Sequence, residues 1–302
     1  MEGYRKVLIC IHDTALDSHM LPYAGAVSRA RQWKEVHFLH VVSDEPRPET
    51  LPAGKREVIT PDTLQGLAVE HFTGHGEEEV FYEVIEGSPL VEILRYAHDK
   101  DMDAIVLGRK AHPARGALLA RRITRKATCS VLLLPVRAHA KADVIVVPVR
   151  DSECSANALG MACEVAKVVG ARVICLNVYQ VGPGYTRAGS TLEEAQIALD
   201  AAARAECQRL LKRVDTHGAP VDVECVPDLY DRAVPLILEA VSRASAGLIV
   251  IGARGRTGAA GVLLGEVTEQ LIKESPIPLL AVKKKGECLG VLQALLTIAR
   301  GE

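Results

Sequence analysis

No apolar run in the 302-residue sequence approaches the roughly 20 residues that a membrane-spanning helix needs, so no membrane span is expected. Neither sign of charge dominates. Lys and Arg number 36 against 38 Asp and Glu, a formal charge of −2, which removes any global electrostatic ground for nucleic-acid binding. The eight cysteines (Cys10, Cys129, Cys154, Cys163, Cys175, Cys207, Cys225 and Cys288) contain no C-x-x-C pair. A metal or redox site needs closer spacing, and several of them lie inside apolar strands such as Val173-Ile174-Cys175-Leu176; they read as reduced, buried thiols acting as small hydrophobes. The histidines, His12 and His40 among them, show no metal or triad spacing. No nucleophile is accompanied by an evident base and orienting group, so no catalytic residue and no protein-held metal is expected. The first residues, Met1-Glu2-Gly3-Tyr4-Arg5-Lys6, open straight into a short strand, and the chain reads as cytoplasmic.

What the sequence does contain is a repeat. Apolar strands at Val7–Ile11, Phe38–Val42, Val80–Ile85, Ala104–Gly108 and Val131–Pro135 alternate with helical patterns, and the order then starts again. The second series runs through Val144–Val149, Val173–Val178, Val221–Val226, Leu248–Ile251 and Leu279–Val282. Its first helix reads from a cap at Asp151 or Ser152, along Ala158, Ala162, Val165 and Val169, to a stop at Gly170. His12 to Arg150 spans 138 positions, Gly108 to Gly252 144, and Val131 to Leu279 148, a smooth drift that fits duplication with loop insertions. Near-continuous apolar strands between amphipathic helices imply an α/β fold with parallel sheets covered on both faces. Length alone agrees with two domains of roughly 150 residues each.

One stretch carries the functional question. Leu248-Ile249-Val250-Ile251 runs into Gly252-Ala253-Arg254-Gly255, then Gly261, then Gly265-Glu266-Val267-Thr268. Strand, glycine loop and helix start together make an anion cradle, because backbone N–H groups converge and missing β-carbons let a phosphate approach. The same stretch reads equally as a plain strand-to-helix turn. It is neither a Walker loop nor a G-x-G-x-x-G fingerprint.

With the repeat and this motif in view, the sequence resembles a tandem universal stress protein. Gly252, Gly255 and Gly265 match that family's pattern of Gly, two residues, Gly, nine residues, Gly. The resemblance implies two Rossmann-like, adenine-nucleotide α-hydrolase-like domains related by pseudo-two-fold symmetry, at residues 1–138 and 142–285. Residues 286–302 follow as an amphipathic tail. It also implies ATP or a related adenine nucleotide as ligand, sensed rather than turned over, with at most slow hydrolysis. By the same resemblance Val149, Arg150 and Asp151 lie near base and ribose, and Val178 lines the adenine pocket. Gly252, Arg254, Gly255, Gly265, Val267 and Thr268 surround the phosphates.

Three departures stand beside the match. Glu266 occupies the position where the family carries a hydroxyl, and a carboxylate about 4 Å from a phosphate charge costs on the order of 1 kcal/mol in water-like surroundings. Alternatively Glu266 and the phosphates could share a magnesium ion. Second, the family's Asp at the end of the first strand corresponds to His12 and Arg150, with Asp13 and Asp151 one residue late; either Asp also suits a helix cap. Third, the first half keeps Gly108 but has Ala111 and Ala117-Leu118 in place of the later motif positions, so its motif is degenerate. What remains there is basic: Arg109, Lys110, Arg115, Arg121, Arg122, Arg125 and Lys126. That surface reads as a solvated helix face or as a site for an acidic partner. The reading set against nucleotide binding is an interaction protein using the first half and the tail, or a binder of another small or lipid-like molecule. A homodimer is a further expectation from the resemblance.

Overall fold

The structure is a computed structural model, and it describes residues 4–12, 16–43, 59–109, 116–136, 138, 142–182, 191–253, 256–258 and 261–285. Asp13, Lys110, Ala111, Arg115, residues 183–190, Arg254, Gly255 and the tail 286–302 lie outside the described residues. The chain divides into two compact units. One comprises Met1–Ala140, Gly255–Leu263 and Lys284–Glu302, the other Lys141–Arg254 and Leu264–Lys283.

The first unit runs β1 (Lys6–Ile11), α1 (Asp17–Arg31), β2 (Glu35–Val42), α2 (Pro61–His71), β3 (Glu79–Glu86), α3 (Pro89–Asp99), β4 (Ala104–Arg109), α4 (Gly116–Lys126) and β5 (Ser130–Pro135). Its strands pair in parallel in the order β3-β2-β1-β4-β5. Strands β1, β4 and β5 are buried almost throughout, which is why they read as unbroken apolar runs. Edge strand β3 is exposed or half-exposed at every residue.

The second unit repeats the plan with β6 (Val144–Pro148), α5 (Glu153–Val169), β7 (Arg172–Gln180), α6 (Leu192–Lys212), β8 (Val221–Asp228), α7 (Ala233–Arg243), β9 (Leu248–Gly252), α8 (Glu266–Glu274) and, last, β12 (Leu279–Val282). Strand order is β12-β9-β6-β7-β8, again parallel. Between β9 and α8 the glycine-rich stretch holds a short antiparallel hairpin, β10 (Arg256–Gly258) and β11 (Gly261–Leu263). The sequence alone reads as a glycine loop there; in the structure Gly258 faces Gly261 across the ladder of the hairpin.

Helix ends follow local chemistry. Ser152 caps α5 by accepting from the Ser155 N–H at 3.2 Å, and Gly170 ends it at φ 72°, the left-handed region open to glycine. Thr191 and Glu194 form a reciprocal capping box at the start of α6. The buried face of α5 differs from the periodic reading. Val165 is only half-buried and Val169 exposed, while Leu159, Cys163 and Ala166 carry the contact. The helix packs its small residues inward, where they let it lie close to the sheet.

Candidate nucleotide site of the second unit

In the second unit the chain steps from β6 outward to β7 and β8, then returns to β9 on the other side of β6. The carboxyl ends of β6 and β9 therefore flank the switch in strand order, the crevice where open parallel sheets take ligands. Val149 follows β6, is buried, and donates its N–H to the Leu176 carbonyl on β7 at 2.8 Å. Arg150 is exposed, and its backbone N–H is held by the Ser155 hydroxyl at 3.0 Å. Ser155 in turn meets the Ser152 hydroxyl at 3.0 Å, so two serines pin the turn into α5. The first unit solves the same turn differently: the His12 N–H donates to the buried carboxylate of Asp17 at 3.2 Å.

Asp151 points toward α6. Its carboxylate takes Arg213 at 2.9 Å and Arg209 at 3.5 Å, all three side chains partly exposed. These two arginines, four residues apart on one helix face, were not singled out from the sequence. Their i, i+4 spacing was the available signal, but nothing in the pattern tied that face to the end of β6. Val178 is buried in β7, paired with Val226 of β8.

The two described glycines of the motif have different reasons to be glycine. A β-carbon on Gly252 would lie 2.6 Å from the carbonyl oxygen of Cys154 in the first turn of α5, so packing alone demands glycine there. At Gly108 in the first unit a β-carbon would meet a side chain rather than backbone, that of Leu16, at 2.5 Å. Gly265 differs from both. It has φ −62° and ψ 141°, and a β-carbon there would approach no described atom closer than the Thr268 hydroxyl, at 3.7 Å. Gly265 precedes α8, whose first turn has no side-chain cap. Glu266 is exposed at the first helical position, Val267 half-buried, and Thr268 buried with its hydroxyl turned toward Gly265. An uncapped helix start presents backbone N–H donors and a positive dipole end, and the same field suits the Glu266 carboxylate.

Families of related proteins agree with this architecture. The model of the universal stress protein family matches the chain twice, over residues 3–135 and 141–283. The chain belongs to the universal stress protein family. Two such domains stand in tandem, as the repeat in the strands implied. Among curated relatives, universal stress protein MJ0531 of Methanocaldococcus jannaschii is 32% identical over 142 residues, covering 46% of this chain and 81% of its own. A universal stress protein of Archaeoglobus fulgidus has a similar fold, with TM-score 0.63 and 18% identity over 93% of this chain and 99% of its own. A functionally unknown protein of Pseudomonas aeruginosa, PA1789, gives TM-score 0.63 at 17% identity, covering 100% of this chain and 99% of its own. Among the described residues, no helix is long and apolar enough to cross a membrane, and no group of three or more His, Cys, Asp or Glu is arranged to hold a metal ion.

Proposed function

We propose that the second domain binds ATP or a related adenine nucleotide at the β6/β9 crevice and acts as a stress-linked sensor through occupancy. The observation that carries this reading is Gly265. Neither its backbone angles nor any described neighbour calls for glycine, whereas a phosphate resting on the start of α8 does, because a β-carbon would occupy the space the phosphate oxygens need. Gly255 and Arg254 complete the motif in sequence. Thr268 adds a hydroxyl beside Gly265. Val149 and Val178 are apolar residues at the ends of adjacent strands, suited to an adenine ring. Asp151 keeps acceptor capacity for a ribose hydroxyl beside its two arginines, since a carboxylate offers about four lone-pair sites. Magnesium would relieve the repulsion between Glu266 and the phosphates by taking oxygens from both.

Calorimetry of the full chain with ATP, with and without magnesium, tests the reading. Saturable binding that Gly255→Val abolishes supports it; no heat and no thermal shift at millimolar nucleotide overturns it.

A second reading has its own observation. Helix α4 of the first domain carries Arg121, Arg122, Arg125 and Lys126 beside Leu118, which is 43% exposed. Burial, with the nearby charges of Arg122 and Arg125, pulls the Lys126 ammonium below its ordinary range, a sign of crowded positive charge. That face suits an acidic protein partner, and a partner retained by Gly255→Val would favour it.

A further inference from the structure

The fold brings together three cysteines that lie far apart in the sequence. Cys175 and Asn177 are two residues apart on β7, and Asn177 pairs directly with Cys225 of β8. Side chains two apart on a strand share a face, and directly paired residues share it too, so Cys175, Asn177 and Cys225 stand on one face of the sheet. Helix α6 lies over that face. It buries Ala203, Cys207 and Leu210, and its Glu206 accepts from the Asn177 side-chain amide at 3.2 Å. Cys207 lies near enough to Cys175 and Cys225 for the three thiols to influence one another's ionisation. Cys175 and Cys207 are buried, while Cys225, on edge strand β8, is partly exposed and opens the cluster to a small reagent.

We propose that Cys207 is a peroxide-reactive thiol, with Cys175 and Cys225 as the neighbouring thiols that close a reversible disulfide onto it. This site is separate from the nucleotide crevice and does not depend on it.

The electrostatics divide the roles. Hydrogen bonding from Cys175, with further bonds from Cys225 and Asn177, outweighs burial and holds the Cys207 thiol down to about 7. Burial pushes Cys225 up to about 12, and the hydrogen bond to Cys207 followed by burial pushes Cys175 up as well. The titratable and charged groups around the cluster are Glu206 on α6 beside Cys207, Asp200 and Arg204 on the same helix and Tyr179 on β7 beside Cys225, and Cys163 on α5 beside Cys175. One thiol of three is thus the nucleophile near neutral pH, and the other two are held protonated next to it.

The chemistry balances with a hydroperoxide as oxidant. The Cys207 thiolate attacks a peroxide oxygen, an S–O bond forms and the O–O bond breaks, and with one proton taken up the products are a sulfenic acid and water or an alcohol. A neighbouring thiol then attacks that sulfur. The S–S bond forms, the S–O bond breaks, and the departing hydroxide leaves as water with the attacking thiol's proton. Two thiols have lost two electrons and the peroxide has been reduced by two. A reducing thiol entering at the exposed Cys225 side reverses the link.

The test treats reduced full-length protein with hydrogen peroxide, then quenches in acid, alkylates under denaturing conditions and maps peptides without reduction. Cys207 is expected to lose alkylation about tenfold faster than the buried Cys10 and Cys163 near neutral pH. Its rate should rise with pH around a midpoint of about 7, and the product should be a peptide joining Cys207 to Cys175 or Cys225. Cys175→Ser and Cys225→Ser should each keep one link, and the double variant should lose it while Cys207 still forms a sulfenic acid that a dimedone probe captures. Circular dichroism checks that each variant is folded. Oxidation of Cys207 no faster than that of Cys10 and Cys163, or a cross-link that survives Cys207→Ser, overturns the proposal.

Discussion

Gly252 at the end of β9 and the backbone of Cys154 in the first turn of α5 are so close that a β-carbon would stand 2.6 Å from the Cys154 carbonyl oxygen and 2.7 Å from its carbonyl carbon. The obstacle is backbone, which cannot rotate away. Gly252→Ala is therefore expected to destabilise the second domain by about 2 to 3 kcal/mol, in the range of overpacked cores. Gly108→Ala meets the end of a Leu16 side chain, which can change rotamer, and should cost about 1 kcal/mol. Midpoints of denaturant unfolding for the two variants check the order; equal losses would mean that α5 shifts as easily as a leucine turns.

Gly265 and Glu266 separate folding from binding. Gly265→Ala adds a methyl group that meets no described atom closer than the Thr268 hydroxyl, at 3.7 Å, and should change stability by less than about 1 kcal/mol, a helix-cap effect. If the proposed cradle holds phosphate, the same variant lowers ATP affinity without unfolding the domain. Glu266→Gln should raise affinity for magnesium-free ATP about fivefold, the equivalent of about 1 kcal/mol of exposed charge repulsion. Should Glu266 instead share magnesium with the phosphates, the substitution weakens binding only when magnesium is present, and calorimetry in both conditions tells the two apart.

Asp103 collects three donors in the first unit. The Arg5 and Lys6 N–H groups reach one carboxylate oxygen at 2.8 and 2.9 Å, and the Lys285 ammonium reaches the other at 2.7 Å while also pairing with Asp101 at 2.8 Å. Burial pushes this carboxyl up, but the Lys285 ammonium and the two backbone donors together outweigh it and leave it below its ordinary 3.8. A carboxyl lowered by folding stabilises the protein fully above its unfolded value, and that contribution disappears as pH falls through the lower folded value. Asp103→Asn is thus expected to cost about 1 to 2 kcal/mol near neutrality and nothing at strongly acid pH. Lys285→Ala should reproduce part of this cost, reduced by solvent screening because its ammonium is partly exposed. Urea titrations across the acid limb measure both.

The repeat, the parallel strands and the two glycine strands were legible because buried strands announce themselves as apolar runs and short loops keep the spacing nearly constant. The chemistry of the site was less so. Asp151 read as a helix cap or a ribose contact; Ser152 caps α5, and the Asp151 carboxylate goes to Arg209 and Arg213, more than fifty residues away in the chain. Gly252 read as a phosphate glycine; a helix turn about a hundred positions earlier also demands glycine there, and no local pattern announced it. The cysteines read as separate small hydrophobes. Spacings of 32 residues from Cys175 to Cys207 and 18 from Cys207 to Cys225 conceal a cluster that only the β7/β8 register and the placement of α6 assemble. Local pattern predicts elements; it does not predict which distant side chains an element's far end will meet.

His37 carries the last prediction. It is buried on β2, stacked on Phe81 with ring centroids 4.4 Å apart, and its Nδ1 meets the Tyr96 hydroxyl at 2.9 Å. Glu35 lies 3.5 Å from Nε2 and favours the protonated ring, but burial is the stronger influence and holds the imidazole below its ordinary 6.5. In the unfolded chain the ring takes up its proton at that ordinary value. As pH falls below 6.5 the unfolded state therefore gains a proton before the folded state does, and stability declines until the folded value is passed. His37→Phe removes this titration and also strips Tyr96 of its partner, at a cost of about 1 to 3 kcal/mol where the histidine is neutral. The stability gap between wild type and variant should be largest above pH 6.5 and narrow as the pH drops. A gap that widens on acidification would mean that Glu35 outweighs burial and that the buried ring is held as an imidazolium.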